Sequence, residues 1–216
     1  MKFANKLRRC AAVSSLSIAC LLAAPAQSAV VLHVSAGVLT GASGVTVGAL
    51  PGTYSVAFQE GSCNSLFAGC NPSLFAFSTS NHAFEAANAL NMSVFVNTVL
   101  GLFDARPDTT FGCFHPNTTV CQAHTPWATL VANTQQMVQS EVAINSNNPN
   151  FDAAESRIRL AARDTSDIES EVFAVWSRDA VAPTAVPEPG TLALLGLAGA
   201  VLGWTQRRRH PAISIQ

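Results

Sequence analysis

Lysine is absent beyond residue 6, and charge of any kind is sparse, with Asp, Glu, Lys and Arg making up 12% of the 216 residues. Lys2, Lys6, Arg8 and Arg9 crowd one end and Arg207, Arg208 and Arg209 the other. Between residues 29 and 182 the chain keeps Arg106, Arg157, Arg159, Arg163 and Arg178 against twelve carboxylates, and five minus twelve leaves about minus seven. Such a surface repels a polyanion, so no nucleic-acid partner is expected. Local catalytic motifs are missing too. There is no Gly-x-Ser-x-Gly elbow, no His-Glu-x-x-His helix, no phosphate-binding glycine loop and no dinucleotide fingerprint, so the chain is expected to be non-catalytic and without cofactor or metal. A full-length membrane span is also lacking: the apolar run from Thr191 to Trp204 reaches only about 21 Å at roughly 1.5 Å per residue, where a span takes about 20 residues.

What is present is concentrated at the ends. The N-terminal basic residues precede an apolar stretch from Cys10 to Ala24 and small residues at Ala24-Pro25-Ala26 and Ala26-Gln27-Ser28, the layout of a secretory signal peptide over residues 1–28. Cleavage after Ala26 or after Ser28 fits equally. A lipoprotein cut at Cys20 does not fit, because Ser17-Ile18-Ala19 precedes it and the apolar run continues past it. At the other end, Pro187-Glu188-Pro189 leads into the short apolar helix and then the three arginines. The prolines lack backbone donors and fix φ, so the tripeptide is expected to be extended and accessible. Leu192, Leu194, Leu195, Leu197 and Leu202 favour insertion, Gly196, Gly199 and Gly203 dilute it, and the arginines hold their end in the cytoplasm.

That order of Pro-Glu-Pro, apolar helix and arginines resembles the PEP-CTERM sorting signal of exported bacterial proteins, here over residues 183–210 with a short tail at 211–216. The resemblance implies several things. Its partner would be an exosortase, a membrane-embedded, cysteine-protease-like sorting enzyme. The chain would be anchored transiently in the inner membrane by its C-terminal helix. It would then pass to the cell surface, outer envelope or extracellular matrix, in association with exopolysaccharide.

Residues 29–182 have the length of one domain. Cys63, Cys70, Cys113 and Cys121 remain after the signal peptide is lost, in a chain bound for an oxidising compartment. Of three connectivities, local pairing is favoured by the turn formers inside each pair, Asn64 and Gly69 in one, Pro116 and Asn117 in the other. A zinc site from Cys113, His115, Cys121 and His124 is the alternative, although its spacing matches no common module.

An α+β domain is expected: a mainly antiparallel β-sheet with one amphipathic helix, plus the separate C-terminal apolar helix. Thr46 to Val47 and Tyr54 to Phe58 read as a hairpin, with Tyr54, Val56 and Phe58 facing inward. Asn81 to about Val96 reads as the helix, capped by Ser80 or Asn81, with Ala83, Ala87, Leu90 and Val94 on its buried stripe. Strands follow at Trp127 to Val131, Val138 to Ile144, Arg157 to Arg163 and Val172 to Trp176, with turns at Asn145 to Asn150 and Arg163 to Asp167. Alternation in Arg157-Ile158-Arg159-Leu160 predicts arginines in water and aliphatics in the core. The opening Tyr54-Ser55-Val56-Ala57-Phe58, the Gly61-Ser62-Cys63 to Gly69-Cys70 loop, the alanine-rich helix and the closing Phe173-Ala174-Val175-Trp176-Ser177 faintly resemble ectodomains that accompany PEP-CTERM tails. That likeness implies no activity.

The expected role is therefore an exported envelope or exopolysaccharide-associated protein acting by structure or interaction. The competing expectation is a small secreted carbohydrate hydrolase using Glu141 with Asp152 or Asp167, since paired carboxylates need only about 5 to 10 Å between them and no fixed spacing. Each of these reads more simply as a solvated turn or strand-end group. His33 and His82 read as a strand and a first-turn helix residue without partners. Asn91-Met92-Ser93 and Asn117-Thr118-Thr119 have the form of glycosylation acceptors.

Overall fold

The computed structural model describes residues 29–115 and 118–180. The expected signal peptide, Pro116 and Asn117, residues 181 and 182, and the C-terminal segment with Pro187, Glu188, Pro189, its apolar helix, Arg207, Arg208 and Arg209 lie outside the described residues.

Strand β1 (Val31–Ser35) turns over Ala36 and Gly37, both at positive φ, into β2 (Val38–Val45). β2 pairs antiparallel with β3 (Tyr54–Gln59), so the expected hairpin exists, but its first strand ends before Thr46 and Val47. Gly41-Ala42-Ser43-Gly44 carries no β-branched or aromatic side chain, which is why the run gives little strand signal. The remaining strands are β4 (Asn97–Thr98) and β5 (Gly101–Leu102), β6 (Val120–Ala132), β7 (Gln135–Ser146), β8 (Ala153–Leu160) and β9 (Glu171–Arg178). β4 and β5 form a separate ribbon; the others build one mixed sheet in the order β1-β2-β3-β9-β6-β7-β8. All its neighbours are antiparallel except β6 and β9, which run parallel over Gln122–His124 and Glu171–Phe173.

Two helices, α1 (Cys63–Leu66) and α2 (Ser80–Ser93), and three short 3-10 turns complete the described elements. α2 starts one residue earlier than expected. Its cap is Thr79, whose hydroxyl accepts the His82 N–H at 3.3 Å. Ala83, Ala86, Ala87, Ala89 and Leu90 form its buried face, and small side chains there let the helix lie close to the sheet. No helix among the described residues is long and apolar enough to cross a membrane.

Strand β9 shows how the sheet is covered on both sides. Val172, Ala174 and Trp176 join the main core with α2, β2 and β3, whereas Phe173 and Val175 point the other way into a second cluster with Cys63, Phe67, Cys70, Phe75 and Val138. Tyr54, Val56 and Phe58 are buried in the main core as their alternation predicts. The same rule picks the wrong face for β8. Arg159 is only 6% exposed, while Ile158 and Leu160 are 56% and 38% exposed. Register is the reason. Pairing of Arg159 with Val138 puts its side chain on the second face, where the Phe173 ring lies 5.6 Å from the guanidinium carbon and Glu171 supplies a countercharge.

Candidate functional site

The loop after the Pro107–Thr109 turn is tied to the sheet before it reaches the cleft it lines. Phe111 N–H donates to the Leu39 carbonyl at 2.9 Å, and Cys113 is bonded to Cys121 at the start of β6. Between them Gly112 has φ of 82°, and a Cβ there would lie 2.7 Å from Val172, so only glycine lets the loop pass this close to the start of β9. The cleft has a volume of about 500 Å³. Ser35, Val38 and Thr40 of the first hairpin form one wall, and Phe111, Phe114 and His115 of the loop form the other. Glu60, Ser166 and Glu169 complete it. Phe114 is 70% exposed and Phe111 40%, while His115 Nδ1 lies 3.2 Å from Glu169 Oε2. Exposed aromatic faces beside hydroxyls and carboxylates suit a ligand that is apolar on its flat side and polar at its rim.

A second group of ionisable residues lies under the other face. Arg159 on β8 reaches back across β7 and β6 to Glu171 at the start of β9, with 2.6 Å between Nη1 and Oε2. His124 Nε2 on β6 stands 3.6 Å from the same oxygen. The His124 ring, and then the Arg159 guanidinium, hold the Glu171 carboxyl at about 2 against the opposing effect of burial. Burial lowers His124, so the imidazole is neutral near pH 7. It also lowers Arg159, which stays charged because guanidinium is so strong a base. Sequence alternation had placed Arg159 in water, and His124 stood in the sequence only as a ligand of the zinc alternative. It is instead a buried strand residue packed 5.8 Å from Phe173, ring centre to ring centre.

The carboxylates considered for hydrolysis do not converge. Glu141 is no solvated strand-end group. It is 1% exposed in the middle of β7, accepting hydrogen bonds from Ser80 Oγ at 2.7 Å and Ser156 Oγ at 2.8 Å. Asp152 accepts the Ser146 N–H at 2.7 Å. Its carboxyl is raised by burial and by the nearby Asp104, and it does not line the cleft. Asp167 is exposed in the loop before β9. His33 lies on β1, where its ring meets Ser43 Oγ at 3.1 Å, and His82 is in the first turn of α2.

Both local cysteine pairs are disulfides, Cys63–Cys70 and Cys113–Cys121. The sulfurs of the zinc alternative are therefore bonded to each other, and its two histidines sit apart, one beside Glu169 and the other beside Glu171.

A sheet domain with a disulfide set into each of its two cores is the build of a protein that works outside the reducing cytoplasm. Residues 185–209 match the family model of the PEP-CTERM protein-sorting motif, so the chain carries a PEP-CTERM sorting signal. The motif implies recognition by an exosortase and export to the cell envelope. No curated protein and no solved structure matches the chain.

Proposed function

We propose that the protein is a non-catalytic binding module of the cell envelope, delivered through residues 185–209 and held with exopolysaccharide by the cleft between the first hairpin and the Phe111–His115 loop. The observation that carries the delivery is the sorting motif itself, which begins five residues beyond Ala180, the domain's last described residue. Binding at the cleft is supported by Phe111 and Phe114, whose exposed rings can stack on the C–H faces of sugars while Glu60 and Glu169 accept their hydroxyls. In this account the Pro187-Glu188-Pro189 tripeptide is the recognition site. The following apolar segment is a temporary membrane anchor, and Arg207, Arg208 and Arg209 are its cytoplasmic stop.

Intact mass of the exported protein, from cells with and without the sorting enzyme, tests the delivery. Loss of the tail only when the enzyme is present supports it, and loss in both refutes it. Retention of the purified protein on immobilised exopolysaccharide tests the cleft: Phe114→Ala should elute early, and unchanged retention would remove the cleft from the account.

A secreted hydrolase is the second reading, favoured by Glu60, Glu169 and His115 lining one cleft. Release of reducing ends from the same polysaccharide, abolished in Glu60→Gln or Glu169→Gln, would establish it in place of the first.

A further inference from the structure

We propose that the cleft between the first hairpin and the Phe111–His115 loop is selective for a cationic sugar, one whose ring stacks on Phe111 or Phe114 and whose protonated amine meets Glu60 or Glu169. The inference rests on the sugar-binding reading of that cleft and adds the chemical class of its ligand: an amino-sugar polymer, in preference to a neutral or uronate-bearing one.

Charge is the first argument. Among the described residues, the cleft is lined by the carboxylates of Glu60 and Glu169 and by no lysine or arginine. Its one imidazole, His115, already faces Glu169 at 3.2 Å, so even a protonated ring leaves the walls net negative. A uronate or sulfate is repelled there, and an ammonium group is drawn in. Three of the domain's five arginines are engaged away from the cleft, Arg106 with Asp108, Arg157 with Glu155 and Arg159 with Glu171. Residues 29–182 carry those five arginines against twelve carboxylates, so the long-range field also favours a polycation. The aromatic rings point the same way. Exposed Phe111 and Phe114 attract a cation through their quadrupoles as well as covering the C–H face of a sugar, and a ring beside a carboxylate suits an ammonium on an apolar frame. The fold, finally, holds the two carboxylates in place. Just after Glu60, the Gly61 N–H donates to Thr165 Oγ1 at 3.0 Å and the Gly61 carbonyl accepts the Thr165 N–H at 3.0 Å, which ties the Glu60 segment to the loop bearing Glu169. The Glu169 carbonyl accepts Thr118 Oγ1 at 3.3 Å, and the Glu60 stem lies beside Gly112, where a Cβ would stand 3.3 Å from its Cγ. A volume of about 500 Å³ leaves room for a short run of sugar rings.

The test is isothermal titration calorimetry of the mature, disulfide-intact protein at pH ~6, where an aliphatic amine keeps its proton. The probes are tetramers of glucose, glucosamine and glucuronate that share one linkage and differ in charge. The glucosamine tetramer should bind about tenfold more tightly than the glucose tetramer, and the glucuronate tetramer more weakly than either. About 1 M sodium chloride should remove most of that order while sparing the stacking. In the double variant Glu60→Gln, Glu169→Gln the preference for glucosamine over glucose should be lost, and in Phe114→Ala all three tetramers should weaken. Equal affinity for glucose and glucosamine overturns the proposal and leaves the sugar-binding reading in place, whereas binding of no tetramer removes both. A lysine tetrapeptide that binds as tightly as the glucosamine tetramer would show that the cleft reads charge without the sugar, and a preference that survives in the double variant would show that these carboxylates do not set it; either result overturns the proposal.

Discussion

Replacing Glu171 by glutamine removes the charge that balances Arg159 while keeping the side chain's shape, and its consequence should depend on pH in a defined way. The carboxyl moves from 4.5 to about 2 on folding, held there first by His124 and next by Arg159. A shift of that size corresponds to about 3 kcal/mol, within the range seen when one partner of a buried pair is removed. Because the folded value is depressed, the unfolded chain binds the proton more readily. The stabilisation is complete above pH ~5, falls to about half by pH ~3, and is nearly gone at pH ~2. His124 is lowered by burial and raised by Glu171, so in Glu171→Gln it is lowered further; its own destabilisation on acidification from pH ~6.5 downward is greater in the variant and offsets part of the narrowing. Urea unfolding of the mature protein and of Glu171→Gln from pH 7 to pH 3 measures this. With a slope of about 2 kcal/mol per molar urea, the midpoints should differ by about 1.5 M at pH 7 and by less at pH 3. A gap that stays constant over the range would show that the glutamate contributes by packing, and the electrostatic account of the cluster would be wrong.

Other substitutions probe the rest of the fold. A Cβ on Gly41 would lie 2.2 Å from the Val56 carbonyl oxygen of the neighbouring strand, so Gly41→Ala should destabilise by about 1 to 3 kcal/mol in urea unfolding. Ser156→Ala removes the hydroxyl whose single hydrogen is shared between the two oxygens of the buried Glu141 carboxyl, leaving Ser80, and should cost about 1 to 3 kcal/mol in the same assay. Replacing Cys113 and Cys121 by serine opens a loop of sequence separation 8 and should lower stability by about 2.5 kcal/mol on the chain-entropy model, read as a lowered thermal midpoint.

Particular residues show what the sequence could convey. The stripe of Ala83, Ala87, Leu90 and Val94 specifies both the helix and its buried side, because a 3.6-residue period on a single apolar face leaves one solution. Strand alternation is weaker evidence. In Arg157-Ile158-Arg159-Leu160 it gives the period correctly and the face wrongly, since β8 is an edge strand and burial there is decided by what lies across β7. The local disulfides are legible from spacing and turn residues. The cluster of His124, Arg159 and Glu171 is not, for it needs strands from three separate stretches to be brought together by the parallel pairing of β6 with β9. The only sequence hint is an arginine at every second position of a strand, which is also how a solvated face looks. Glu141 is equally silent: Ser80 and Ser156, which neutralise the cost of burying it, lie far away in the chain.

The two disulfides have different consequences for the two faces. Cys113 and Cys121 are both fully buried in the main core, where the bridge fixes the Phe111–His115 loop against the start of β6 and so shapes the cleft. Cys63 and Cys70 are buried in the second cluster, closing the short loop whose Phe67 packs edge-on against Phe173, 6.1 Å away. Phe173 in turn is the platform beneath the Arg159 guanidinium. Loosening the Cys63–Cys70 loop therefore acts on the charged cluster through one aromatic ring, whereas loosening the other bridge acts on the cleft directly. Trp176, which alternates with Phe173 across β9, faces the main core and donates its Nε1 hydrogen to Thr125 at 3.1 Å, so the two faces share a strand but not their side-chain contacts. Selective loss of either bridge should consequently disturb the near-by site first, and an oxidising compartment, to which the sorting signal sends the chain, is what keeps both in place.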